Sequence, residues 1–188
     1  MNTKNTPFAN GKNIFLRGIT LSDATELYLS WLNDFEVINT LETKVFPSTI
    51  EELKKYLANI IKSSNDVMLA IIVKDSNKHI GNIKLGSINW IHRYCDLGIM
   101  IGDKSYWKKG YGTEACSLML EYAFERLNLH RVYLGAYSDH INSINLYKRV
   151  GFQIEGTRRK QLFRDGKYFD EILMGIINEE YFALKNNQ

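Results

Sequence analysis

Proline and cysteine are both scarce, with two of each in 188 residues: Pro7 and Pro47, Cys95 and Cys116. With so few prolines, and no Ser/Gly-rich or low-complexity run, nothing marks a linker. One domain over 1–188, with a polar N-terminal tail at 1–13, is the expected organisation. The cysteines form neither a CxxC pair nor a Cys/His ligand spacing, and both fall within periodic apolar segments. Both are read as free, buried thiols, and no metal is expected. No apolar run approaches the roughly 20 residues that cross a bilayer. The start, Met1 to Asn13, has no apolar stretch of the secretory kind, so the expected location is cytoplasmic, with no membrane partner. An excess of charge is missing too. Lys plus Arg number 24 and Asp plus Glu 21, a formal charge of +3, and the two signs alternate along most of the chain. That does not argue for a nucleic-acid partner.

What is present has the makeup of an ordinary globular protein, 45% hydrophobic, 12% aromatic and 24% charged. A chain of this length can bury roughly 70% of its unfolded surface, so it needs no staples from disulfides or metal. Hydrophobic periodicity then orders it. Ile14 to Arg17 reads as a short strand, followed by a helix with Ser22 as N-cap and Ala24, Leu27, Tyr28, Trp31 and Phe35 at helical spacing. A second helix is predicted after Ser48, where Ser48-x-x-Glu51 has the form of a capping box and Ile50, Leu53, Leu57, Ile60 and Ile61 supply the stripe. Val67 to Val73, Ile80 to Ser87 and Tyr94 to Ile101 read as strands joined by short connections, hence antiparallel. Ala115, Leu118, Met119, Tyr122, Ala123 and Leu127 return to helical spacing, and Val132, Leu134 and Ala136 alternate as a strand. Asn142 to Val150 makes a short helix ended by Gly151, and Asp165-Gly166 turns a final hairpin. This order gives a mixed α/β, α+β-like fold and excludes a regular doubly wound parallel sheet.

The loop Trp107-Lys108-Lys109-Gly110-Tyr111-Gly112-Thr113 lies between a strand and a helix, where free backbone N–H groups and the positive helix end favour an anion. Glycine lets the backbone approach phosphate closely, and the two lysines add charge. The same pattern also fits a tight turn that simply needs glycine. There is no GxxxxGK[ST] and no GxGxxG with a following acid, which sets ATP and dinucleotides aside.

About forty residues on comes Asn142-Ser143-Ile144-Asn145-Leu146-Tyr147, then Gly151-Phe152. Together with Gly110-Tyr111-Gly112-Thr113-Glu114-Ala115, this set resembles the GNAT superfamily of acetyl-CoA-dependent N-acetyltransferases. It is most similar to the branch holding ribosomal-protein N-terminal, spermidine and amino-sugar acetyltransferases. The resemblance runs from about Ile14 to about Tyr181. It implies a central, twisted, mostly antiparallel sheet of about seven strands flanked by about four helices, and acetyl transfer from acetyl-CoA to a primary amine in a ternary complex. It further implies that Lys108, Lys109, Gly110, Tyr111, Gly112 and Thr113 grip the coenzyme A pyrophosphate, that Ile99, Met100 and Ile101 offer strand backbone to the pantetheine arm and the oxyanion, and that Asn142 and Ser143 contact the cofactor. Tyr147 matches the family's general acid and Asp96 an acidic position suited to a base. Tyr147 also reads as an aromatic on a buried helix face, and Asp96 as a solvent-facing strand residue. Trp107 stands where the family often has Gln or Arg, and His140 where it commonly has Asn; Asn142 is close but out of register.

A base is needed because an alkylamine of pKa near 10.4 is only about one part in two thousand neutral at pH 7, adding roughly 4–5 kcal/mol to the barrier. A leaving thiolate near pKa 8.5 needs less help, and a phenol can supply its proton. No Cys/His arrangement supports a covalent route.

The acceptor stays open among an amino sugar, a polyamine and a protein N-terminus. Trp31 and Asn33 resemble a segment of amino-sugar enzymes, and His92 one of spermidine enzymes; Trp31 equally reads as core and His92 as a solvated turn. Arg158, Arg159, Lys160, Arg164 and Lys167 would suit an acidic acceptor, whereas Glu36, Glu42, Glu51 and Glu52 would suit a polyamine. A non-catalytic acetyl-CoA binder is the rival class, and a homo-oligomer is compatible with the sequence.

Overall fold

The computed structural model describes residues 6–41 and 46–186. In chain order its elements are β1 (Ala9–Asn10), β2 (Ile14–Gly18), α1 (Glu26–Leu32), α2 (Phe35–Ile38), α3 (Ile50–Lys62), β3 (Val67–Val73), β4 (Lys78–Asn89), β5 (Tyr94–Ile101), α4 (Tyr111–Glu121), β6 (Arg131–Tyr137), α5 (Ile141–Arg149), β7 (Gln153–Arg164), β8 (Lys167–Ile177) and α6 (Asn178–Asn186). The strands form one sheet in the order β1-β2-β3-β4-β5-β6-β8-β7. Every neighbouring pair is antiparallel except β5 with β6.

Both faces of the sheet are covered. Leu69, Ile71 and Val73 point into one core with Ile83, Leu97 and Leu134 and with Ala115, Cys116 and Met119 of α4. Met68, Ala70 and Ile72 point into a second core with Tyr28 and Trp31 of α1 and Leu53 and Leu57 of α3. A strand buried on both sides loses the usual polar alternation, which is why β3 reads Val-Met-Leu-Ala-Ile-Ile-Val without interruption. The two thiols, Cys95 and Cys116, are wholly buried and unpaired.

Local capping departs from expectation where a tertiary partner claims a side chain. Ser22 does not cap α1. The buried Asp23 carboxylate takes a two-pronged hydrogen bond from the Arg17 guanidinium at 2.6 and 2.8 Å, and also one from the Thr20 N–H at 2.8 Å. This fixes Leu21–Asp23 as a separate 3₁₀ turn, and α1 starts later, with the Thr25 hydroxyl accepting from the Tyr28 N–H. The helix ends at Leu32, so Phe35 opens α2 and stays 75% exposed, and Leu27 is also exposed. The box at α3 is Thr49 with Glu52, not Ser48 with Glu51, because the Ser48 main chain is held by the Asn33 side-chain amide through two bonds.

Among the described residues there are eight strands where about seven were expected. The extra one is β1, inside the stretch read as a tail, with neighbouring Phe8 edge-on to Tyr122 at 4.9 Å. The described residues hold six α-helices rather than about four, α2 and α6 being the additions. The final hairpin turns as its sequence predicts, with Asp165 at φ 49° and Gly166 at φ 76°, the left-handed pair of a type I′ turn.

Candidate active site

The site begins at a fault in the sheet. β5 and β6 pair for only three residues, Tyr94 with Arg131, Cys95 with Val132 and Asp96 with Tyr133. Beyond Asp96 the strands part: β5 stays with β4 through Ile101, and β6 stays with β8 through Tyr137. Each leaves a row of main-chain groups with no strand beside it, and such groups demand partners. A slot through the sheet results, with Leu97–Ile101 on one side and Leu134–Tyr137 on the other.

A cavity opens at each end of the slot. The smaller, about 510 Å³, is bordered by Ile99, Met100, Ile101, Lys108, Gly110, Tyr111, Gly112, Thr113, His140, Asn142 and Ser143. Gly110 caps α4 at φ 86°, a left-handed backbone that favours glycine, and Lys108 bends the same way at φ 58°. Left-handed bends of this kind are the ones from which anion-binding N–H concavities are built. Trp107 takes no place in that cradle as a cation would. Its indole N–H donates to the Ile101 carbonyl at 2.7 Å and ties the loop to the end of β5. Glu114 anchors α4 from outside, accepting from the Asn13 N–H at 2.8 Å and from the Asn13 side-chain amide at 2.9 Å. His140 and Ser143 are joined at 3.0 Å.

The larger cavity, about 860 Å³, lies on the α1–α3 face of the sheet and meets the first at Ile99 and Met100. Asp96, Gly98 and Met100 of β5, Tyr133, Gly135 and Tyr137 of β6, and Tyr147 of α5 line it. Tyr147 is buried, its ring edge-on to Phe152 at 5.7 Å. Burial, and secondarily the neighbouring Cys116, pushes its phenol above the ordinary 10.0. The phenol therefore stays protonated at neutral pH and is fit to donate. Burial pushes both thiols up to about 12, Cys95 with a further contribution from Asp96, so neither offers a thiolate. Among the described residues no cation pairs with the Asp96 carboxylate.

Other expected residues lie elsewhere. Lys109 leaves the cradle and sits over the Tyr106 ring at 5.5 Å. Trp31 is core, packed on Tyr28 and His79 and against the backbone of Gly102. Asn33 holds Ser48, and His92 is exposed at the β4–β5 turn, stacked on Tyr94 at 6.3 Å. None of Trp31, Asn33 and His92 borders either cavity. Glu42 lies outside the described residues. Glu36 borders the smaller cavity and pairs with Lys104 at 2.8 Å, Glu52 borders the larger cavity, and Arg164 pairs with Asp139 while lying over Phe169 at 4.4 Å.

Arg158, one of the cations read as suiting an acidic acceptor, borders the larger cavity, and several lining residues went unpredicted: Asn82 and Glu171 in the larger cavity, Asn145 and Arg149 in the smaller. Asn145 and Arg149 were findable, since they stand three and seven residues after Asn142 on one face of α5. Glu171 was not. Its buried carboxylate lies over Gly135, where an added Cβ would come within 2.1 Å, and takes a 3.1 Å bond from Arg158.

A family model described as the acetyltransferase (GNAT) domain matches residues 13–153. The chain belongs to this family. As a GNAT protein it is an acyltransferase that moves an acetyl group to an amine. It is 28% identical over 170 residues to the uncharacterized N-acetyltransferase YnaD of Bacillus subtilis (strain 168), covering 90% of this chain and 96% of that one. It is 32% identical over 112 residues to spermidine N(1)-acetyltransferase of Escherichia coli (strain K12), a match spanning 60% of each chain. Its fold matches that of the Vibrio cholerae spermidine N-acetyltransferase, solved in complex with CoA and spermine, at a TM-score of 0.84 and 24% identity over 92% of this chain and 99% of that one. No helix among the described residues is long and apolar enough to cross a membrane.

Proposed function

We propose that this GNAT protein binds acetyl-CoA along the slot and acetylates the primary amine of a small molecule held in the larger cavity, by direct transfer. The observation that carries this reading is the parting of β5 and β6, which joins an anion cradle to a cavity lined by a carboxylate and a buried phenol. Lys108, Gly110 to Thr113, Asn142, Ser143 and Arg149 would hold the phosphates, and the open edges of β5 and β6 the pantetheine amides. The residues fit this ligand: the cradle offers main-chain donors and cations, and the slot offers unpaired strand edges. Acetyl-CoA supplies the activated acetyl group as a thioester.

The protein's part is proton management and positioning. Asp96, directly or through one water, would take the ammonium proton, a step worth roughly 4–5 kcal/mol for an alkylamine at pH 7. Tyr147 would return a proton to the departing sulfur. Neither buried thiol enters the path. CoA release from acetyl-CoA, followed with a panel of small amines, tests the proposal. Turnover with at least one amine is expected. CoA binding without turnover of any amine would make the protein a binder instead.

A further inference from the structure

A residue that borders the larger cavity carries a polar atom that the described residues leave unsatisfied. Asn82 on β4 is 3% exposed, and among the described residues its Nδ2 is the one fully enclosed side-chain nitrogen or oxygen without a hydrogen-bond partner. The orientation of its amide follows from His79. The His79 Nε2 lies 2.9 Å from the Gly81 carbonyl oxygen, which only accepts, so this nitrogen carries a proton. The same N–H reaches Asn82 at 3.0 Å, where it must meet Oδ1. The Asn82 NH₂ group is thereby the one turned away from His79, on a residue that borders the cavity, with donors to give and nothing among the described residues to receive them. His79 is itself fixed against Tyr28 and Trp31, so the amide cannot readily turn over.

Asn82 stands opposite Met100, and Asp96 stands opposite Gly86, all on one face of the sheet. The two polar groups are thus four residues apart along the strands, roughly 13 Å at about 3.3 Å per residue. We infer that the acceptor is an elongated amine whose far end carries a neutral hydrogen-bond-accepting oxygen, a hydroxyl or an amide carbonyl, received by Asn82. This deepens the proposed function and rests on it. A polyamine places an ammonium there instead, which has no lone pair to accept and leaves the Asn82 donors buried and unpaired. A site built to hydrogen-bond one group rejects the analogue that lacks it.

The test compares aminooctanol, aminooctanamide, octylamine, diaminooctane and spermidine, by CoA release and by calorimetric binding to the protein saturated with CoA. The two oxygen-bearing amines are expected to exceed diaminooctane and spermidine by about tenfold or more in both kcat/KM and affinity; their order separates hydroxyl from carbonyl. Asn82→Asp keeps the oxygen that accepts from His79 and sets a carboxylate oxygen in place of the NH₂, so it should reverse the ranking toward diaminooctane. Equal treatment of aminooctanol and diaminooctane by the native protein, or a ranking that Asn82→Asp leaves unchanged, would overturn the inference. If Asn82→Asp does not fold, the native ranking decides alone. If no amine releases CoA, transfer to a small amine is refuted, while the binding ranking still decides the role of Asn82.

Discussion

Replacing Tyr147 by Phe removes a single oxygen, and the surroundings of that oxygen predict two very different responses. The ring keeps its packing on Phe152, and the hydroxyl has no hydrogen-bond partner among the described residues. The folded state therefore gives up no internal bond, and the stability change should stay within about 0.5 kcal/mol, or roughly 2 °C in Tm. The rate has more to lose. General acids contribute about 10²–10⁴-fold. A thiolate near pKa 8.5 is the easier leaving group, and burial makes this phenol a weaker acid than usual, so the low end applies. A fall of about 10² in kcat, near 2.7 kcal/mol, is expected, with CoA affinity unchanged. A thiol-capture assay under saturating acetyl-CoA reads the rate, and calorimetry reads the affinity. Full activity in a normally folded Tyr147→Phe protein would remove the phenol from the chemistry. Equal losses in rate and CoA affinity would assign it to binding.

Asp96→Asn should slow turnover at pH 7 by about 10²-fold but recover toward pH 10, where the amine sheds its own proton; a constant deficit across pH profiles would show that Asp96 is not the base. Because the Tyr147 phenol lies above its ordinary 10.0, its ionisation should produce no falling limb in the native profile below pH 10, and a fall between pH 8 and 9 without unfolding would contradict the assignment. Gly110→Ala meets no atom within 4 Å, so its cost is the left-handed backbone, about 1–2 kcal/mol. A lower Tm by a few degrees and weaker CoA binding should follow, and thermal melts with and without CoA check both. Burial pushes the Asp23 carboxyl up, but hydrogen bonds from Arg17 and Thr20 pull it further down, below the ordinary 3.8. The charged form is thus favoured by folding. Its stabilisation is complete above the ordinary value and fades as pH falls through the lowered one, so acid unfolding should begin below about pH 4. Asp23→Asn should remove that dependence, and denaturant melts across pH would reveal it.

Much of this architecture is written locally. β3 and β5 follow directly from apolar runs bounded by turn residues, and Asp165-Gly166 specifies its own turn. The loop before α4 could be proposed for an anion because glycines before a helix are a local pattern, and Tyr147 could be proposed only through the resemblance carried by Ser143-x-x-x-Tyr147. What stayed hidden depends on partners distant in the chain. Ser22 looked like a cap because Arg17 had not yet been seen to claim Asp23. Trp31 looked available for a ligand, yet the sheet brings His79 and Gly102 against it. Asn82 and Glu171 sit among other polar residues of their strands, Lys84 and Asp170 among them, and periodicity does not single them out. Only the register that sets Asn82 opposite Met100, and Glu171 opposite Tyr137, turns them toward one cavity.

The central claim is that the parted edges of β5 and β6, with the loop before α4, receive the coenzyme. Amide hydrogen exchange with and without CoA reads those backbone groups directly. Slowed exchange confined to Leu97–Ile101, Leu134–Tyr137 and Lys108–Thr113 is the predicted result. Saturating CoA that leaves all three segments exchanging as before, or protects a different face of the sheet, would contradict the account.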